Sequence, residues 1–322
     1  MCNTVLAEVP VQCPNSSDSG DTIFYRKPRF GVFLFRESGM KRYSPLILLL
    51  VFWAKQMDGI AQKNDMGITG GVMYYMGDLN PAKHFKFPGL AVGLLYRHNF
   101  DHHFSIRGNV IGGQIWADDA TSKNGYQITR NLRFRSYILE ASVQGEINFF
   151  QFEPGNRKKN NFTPFLFGGV GAFYFNPTTR LSTGNTSLIP LNTEGQGTVD
   201  GRKRYLPFHA TLPFGMGIKW NPFKGATLMV EWRMNYTFTD YLDDVSTRYA
   251  EESIIAVNGK PALEAHDQNI GVTVDMTDRQ RGFAKNKDWY SYLGLYLSFR
   301  IKDKDPTCWK TSRYKPFLKT KK

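Results

Sequence analysis

Three carboxylates crowd into the stretch Thr239-Asp240-Tyr241-Leu242-Asp243-Asp244. Grouped acids can gather a cation, yet this spacing fits no calcium loop, whose ligands alternate and end in a glutamate. His102-His103 lies in a short polar stretch, where solvated side chains are expected rather than metal ligands. Gly168-Gly169-Val170-Gly171 superficially resembles a phosphate loop, but it sits inside an aromatic run with no helix after it. No spacing of Ser, His and Asp, or of Cys and His, supports a nucleophile. The cysteines are Cys2, Cys13 and Cys308, and no CxxC pair suggests zinc. These residues point to no catalytic, cofactor or metal site.

A second set of charges is more informative because of what separates its members. Glu140, Glu146, Lys219, Glu231 and Arg233 each stand between apolar neighbours at every-second-residue spacing. Such charges need partners if the surface that carries them is enclosed.

The elements that must carry them are strands. From Thr227 to Thr239, Leu228, Val230, Trp232, Met234, Tyr236 and Phe238 share one face, and Glu231, Arg233 and polar residues share the other. Only Met229 breaks the pattern. A helix would mix these sets, since its repeat is about 3.6 residues. Ser136–Phe149 and Phe208–Trp220 behave alike, and weaker runs occupy 67–76, 89–98, 104–115, 163–175 and 289–301. Several exceed the roughly 5–6 residues of a globular strand and suit the roughly 9–11 of a tilted membrane strand. Connections alternate between short (99–103, 153–161, 221–225) and long (77–88, 117–131, 177–204, 241–288). The fold class expected is all-β: a transmembrane antiparallel β-barrel of about eight strands, ring-rich faces in lipid, charges paired in the lumen, both termini periplasmic. A secreted β-sandwich is the rival, with the charged faces in water.

Composition agrees. Aromatic residues make up 15% of the 322 residues and Gly numbers 30, a mixture suited to strands rather than long helices. The net charge of +13 is scattered between apolar strands without a recognition-helix pattern, so no nucleic-acid partner is expected. Outer-membrane lipid headgroups or an acidic partner suit such charge better.

Upstream, Met40-Lys41-Arg42 precedes the apolar run Leu46–Ala54. That run is too short to span a bilayer as a helix, and Gly59-Ile60-Ala61 supplies small residues before a cut. Residues 40–61 therefore read as a signal peptide cleaved between Ala61 and Gln62. Residues 1–39 lack periodicity and read as an extension outside the translated protein, with translation starting at Met40. The barrel occupies 62–301. Residues 302–322 form a basic tail carrying Cys308, Trp309, Tyr314 and Phe317. Such a tail is either a solvated end or a periplasmic docking segment, and Cys308 either a free thiol or half of an intermolecular disulfide.

Tyr75-Met76-Gly77-Asp78-Leu79, Glu146-Ile147-Asn148-Phe149-Phe150, Thr193-Glu194-Gly195-Gln196-Gly197, the run Thr239–Thr247 and Asp288-Trp289-Tyr290 follow one another in the chain. Together they resemble the signature stretches of the PorG-like outer-membrane proteins over about residues 65–301. The resemblance implies a non-enzymatic component of the type IX secretion and gliding machinery. It would anchor a periplasmic ring that includes a lipoprotein. The rivals are an independent small pore or ligand-binding barrel, and an enzyme at the rim using Asp243 or Asp244.

Overall fold

Alternation of apolar and polar residues commits a strand to two unlike faces, and eight such strands close here into one ring. The computed structural model describes residues 63–81, 83–156, 161–198, 202–271 and 274–301. The strands are β1 Lys63–Met76, β2 Gly89–Asn99, β3 Phe104–Asp118, β4 Arg133–Asn148, β5 Phe162–Leu181, β6 Gly184–Ser187, β7 Phe208–Phe223, β8 Ala226–Thr237 and β9 Trp289–Arg300. Each of the eight long strands pairs antiparallel with its neighbours, and β1 pairs with both β2 and β9. Closure leaves no unpaired edge in the ring. The short β6 lies outside the ring and pairs only with the far end of β5.

The expected strands all exist, and most are longer than the sequence periodicity suggested. β5 runs 20 residues and β4 runs 16, so both project beyond a bilayer-spanning length. The reason is that their upper parts pack against loops as well as against each other. Gly168–Gly171 lies inside β5, as its context implied.

Short turns join strands at the end carrying Lys63 and Arg300. In one, Asp101 Oδ1 accepts from the backbone N–H groups of His103 and Phe104, both at 2.6 Å. Two others meet: Gly155 of the β4–β5 turn and Gly225 of the β7–β8 turn have φ of 71° and 86° and approach so closely that a Cβ on Gly155 would lie 2.7 Å from Gly225 Cα. Long connections gather at the opposite end. Among the described residues they hold three short α-helices, α1 Gly125–Arg130, α2 Glu252–Ala256 and α3 Lys260–His266.

Candidate functional site: a charged lumen under a closed cap

Burial alternates strictly along β4, and apart from Phe134 and Ile138 near its loop end the buried set is polar: Ser136, Glu140, Ser142, Gln144, Glu146 and Asn148. The outward set is Tyr137, Leu139, Ala141, Val143 and Ile147, with Tyr137 64% exposed. A sandwich would reverse these two faces, so the rival fold is excluded. The closed ring turns its charges inward, and they meet.

Glu146 is the first hub. Its carboxylate pairs with Arg97 at 3.0 Å, Arg107 at 2.9 Å and Lys219 at 2.5 Å. Arg97 also pairs with Asp65 at 3.1 Å, and Lys219 donates to Asn148 Oδ1 at 2.7 Å. Arg107 bridges onward to Glu231 at 2.5 Å, and Glu231 to Arg233 at 2.9 Å. Arg233 then reaches Glu140 at 3.1 Å, whose other oxygen accepts from Tyr290 at 2.8 Å. The network therefore contains four cations (Arg97, Arg107, Lys219, Arg233) and four anions (Asp65, Glu140, Glu146, Glu231), all buried.

Rings fill the space between them. Arg107 lies 4.2 Å from the centre of Phe167, and Lys219 lies 4.5 Å from that of Phe165. Phe165 fits because β7 carries Gly217 beneath it, where a Cβ would stand 2.7 Å from the ring. Eight strands leave room only for side chains, and here side chains take it.

Sequence periodicity picked out five members of this network and missed Asp65, Arg97 and Arg107. The signal was present, since Arg97 shares its face with Ala91, Gly93 and Leu95, and Arg107 with Ser105 and Asn109. It was weak because apolar residues also occupy the inward face of β2 and β3. Met229, the apolar intruder, faces inward too and lies 2.8 Å from Arg97 Nη2.

The opposite mouth is stopped by loops. Glu194, fully buried, accepts from the backbone of Ser246 at 2.9 Å and of Thr247 at 3.0 Å, from the Thr247 hydroxyl at 2.6 Å and from Arg281 at 3.1 Å. The run Thr239–Thr247 thus folds onto the segment around Glu194. Tyr241 stacks on Tyr205 at 4.7 Å and 6°. Asp244 accepts from Thr193 at 2.5 Å and Tyr205 at 2.6 Å, and Asp240 from Ser246 at 2.7 Å. Arg130 clamps Asp119 through two bonds and donates to the Arg281 carbonyl at 2.6 Å. Leu242 and Val245 descend into the apolar cluster formed by Tyr75, Phe134, Phe173 and Tyr290 at the barrel's end.

The cap differs electrically from the lumen. Among the described residues, Asp78, Asp119, Glu194, Asp240, Asp243, Asp244 and Asp288 gather around two buried arginines, Arg130 and Arg281. Burial pushes both Asp240 and Asp244 up to about 7. Burial and neighbouring carboxylates hold Asp243 and Asp288 well above the usual carboxylate range. Protein donors engage these acids, and among the described residues no group of three His, Cys, Asp or Glu is arranged to hold a metal. His103, in its tight turn, sits with Nδ1 2.9 Å from the Asn148 carbonyl. Ala61, Gln62, Cys308, Trp309, Tyr314 and Phe317 lie outside the described residues, as do segments 1–39, 40–61 and 302–322.

Outside, the wall is apolar. Leu90, Val92, Leu94 and Tyr96 on β2 are all exposed, as are Leu212, Phe214, Met216, Ile218 and Trp220 on β7. Phe149, Phe150, Phe162, Trp220 and Phe223 mark one border, and Trp232, Tyr236, Phe238 and Trp289 the other. So large an apolar belt around a charged interior needs hydrocarbon as its solvent. The fold and belt define an eight-stranded transmembrane β-barrel of the outer-membrane type.

More particularly, the chain belongs to the family described as a domain of unknown function (DUF6089), which matches residues 41–259. Similar solved structures include Ail, the attachment invasion locus protein of Yersinia pestis (9% identity, TM-score 0.34, covering 74% of this chain and 97% of that one). Neisserial surface protein A has 9% identity and TM-score 0.36, with the same coverage of each chain. OprG of Pseudomonas aeruginosa has 11% identity and TM-score 0.32, covering 75% and 98%. No curated protein sequence matches.

Proposed function

We propose that this protein is a non-conducting, non-enzymatic outer-membrane component of a type IX secretion machinery, anchoring a periplasmic ring that includes a lipoprotein. The observation that carries the reading is the filled barrel: eight mutually paired charges inside, and a mouth stopped by loops. A pore needs an open lumen, whereas an anchor needs only a rigid wall and an attachment surface. The motif segments behind the PorG-like resemblance support the same reading, because Glu194 joins two of them in the cap.

In this reading the short turns and both termini face the periplasm, as in barrels with long outer loops. The basic tail with Cys308, Trp309, Tyr314 and Phe317 then supplies the surface for the ring. Two experiments test it. Crosslinking in intact cells, followed by mass spectrometry, should recover periplasmic ring proteins, and deletion of the gene should abolish secretion through that route. Reconstitution in planar bilayers should give no steady current. An open-channel current, or normal secretion in the deletion strain, would replace the scaffold by an independent barrel. Replacing Cys308 by Ser should remove any reduction-sensitive mass shift on gels, and no such shift in wild type would discard the disulfide.

A further inference from the structure

The outward face of β4 changes character abruptly at its loop end. From Ile147 through Val143 and Leu139 to Tyr137 it is apolar, and the next two outward residues are Arg135 and Arg133. Both are exposed. Arg135 pairs in register with Trp116 on β3 and with Thr178 on β5. Two residues further along, Arg133 Nη2 donates to the Arg180 backbone carbonyl at 3.1 Å, which brings Arg180 level with it. On the other side of Trp116, its ring packs on Phe87 at 4.5 Å, and Lys86 sits 4.3 Å over Phe87.

Three cations therefore line the outward faces of β4 and β5, and Lys86 joins them from the loop before β2, level with the rings of Trp116 and Phe87. Among the described residues none of Lys86, Arg133, Arg135 and Arg180 forms an ion pair with a carboxylate. Asp118, opposite Arg133 in register, accepts the Ala120 N–H at 2.9 Å and forms no ion pair with Arg133, and among the described residues no carboxylate stands between Arg133 and Arg180. The same level of β8 and β9 carries Tyr236, Phe238 and Trp289 in place of cations. Like charges brought level across a strand pair repel unless an anion lies between them.

The height decides what that anion is. A strand rises roughly 3.4 Å per residue and tilts by roughly 40°, so Arg135 stands about 5 Å and Arg133 about 10 Å above Tyr137. Headgroups occupy roughly 5–8 Å beyond the hydrocarbon of each leaflet. The Arg135 guanidinium thus lies at phosphate depth and Arg133 and Arg180 just above it, with exposed Tyr137, Leu139 and Val143 aligned below for acyl chains. We infer that Lys86, Arg133, Arg135 and Arg180 form a binding site for the phosphate headgroup of an anionic membrane lipid on the β3–β5 wall. Planar guanidinium forks suit phosphate oxygens, and the neighbouring rings hold the glycerol or sugar level.

The test is titration of phosphatidylglycerol and phosphatidylcholine, with matched chains, into the detergent-solubilised full-length protein. Wild type should prefer phosphatidylglycerol by at least about tenfold, since each surface cation contributes roughly fivefold. The variant R133Q/R135Q/R180Q should lose that preference while keeping the heat-dependent gel migration of a folded barrel. Single Arg135→Gln should lose part of it, which keeps the test open if the triple variant misfolds. A control, K123Q/K260Q/K285Q, removes as much charge from exposed positions of the long connections and should bind as wild type does. No preference in wild type, equal loss in the control, or displacement of the lipid by equimolar inorganic phosphate would overturn the site.

Discussion

Asp243 and Asp288 touch the same hydroxyl oxygen: Tyr75 Oη lies 2.6 Å from Asp243 Oδ2 and 2.9 Å from Asp288 Oδ1. One O–H shared between two carboxylates serves neither fully, and burial with neighbouring carboxylates raises both acids, which favours a proton on one of them. The remaining oxygen of each acid accepts a backbone N–H, from Val245 and Leu242 respectively, both at 2.9 Å. The two feet of the long β8–β9 connection are thereby fastened to β1 through a protonated bridge.

The cap should therefore loosen as pH rises. Asp240, Asp243, Asp244 and Asp288 all bind protons more tightly folded than unfolded, so their contribution is fully present below about pH 4. For Asp240 and Asp244 it is lost as pH rises through about 7, and the bridge pair, also held well above the usual carboxylate range, loses its contribution in the same direction. Hydrogen exchange of residues 241–247, corrected for intrinsic rates, should be faster at pH 8.5 than at pH 5.5 while the strands stay protected (roughly the span set by those carboxylates). Asp243→Asn should flatten that dependence. Equal protection of the cap at both pH values would refute the protonated bridge.

Glu194 should hold the cap more than any other side chain. Glu194→Ala strands Arg281 and the N–H groups of Ser246 and Thr247 without their acceptor. Breaking a buried charged pair costs about 3–5 kcal/mol, enough to open the cap locally. Limited proteolysis should then cut within residues 241–271 while the barrel keeps its folded gel migration.

Within the lumen, Glu146→Ala leaves Arg97, Arg107 and Lys219 short of an anion. Stability of the reconstituted barrel against urea should fall by about 3–5 kcal/mol. Pairing E146L with K219M should recover much of that loss, because apolar replacements of a buried ion pair are often neutral.

Gly217→Ala tests the packing of rings against charges. The added methyl meets the Phe165 ring at 2.7 Å and crowds the Val230 carbonyl, so a destabilisation of about 1–3 kcal/mol is expected. Ala at Gly70, where a Cβ meets nothing within 4 Å, should be neutral in the same urea titration.

Conductance separates the two seals. Replacing residues 241–286 by a short turn, in a variant that still migrates as a folded barrel, should leave bilayers silent, because the eight charges and the rings fill the lumen beneath. Conductance in that variant alone would make the cap the sole barrier.

The sequence by itself determined the strands, the two faces of each and the alternation of short and long connections. A period of two survives any arrangement of the chain, because successive side chains point to opposite sides wherever the strand lies. It also flagged Glu140, Glu146, Lys219, Glu231 and Arg233 as charges needing partners. Only the closed ring decided who the partners are: Asp65 and Glu146 meet Arg97, and Glu140 meets Arg233 across 93 residues, through curvature that no local pattern encodes. The cap was less legible still. The spacing of Asp240, Asp243 and Asp244 pointed at most to a cation, and the position of their loop after Phe238 to a cover over the outer mouth, but not to which donors hold them. Their burial follows from Leu242 and Val245 between and beside them, drawn into the mouth by apolar contact, which takes the carboxylates out of water along with them.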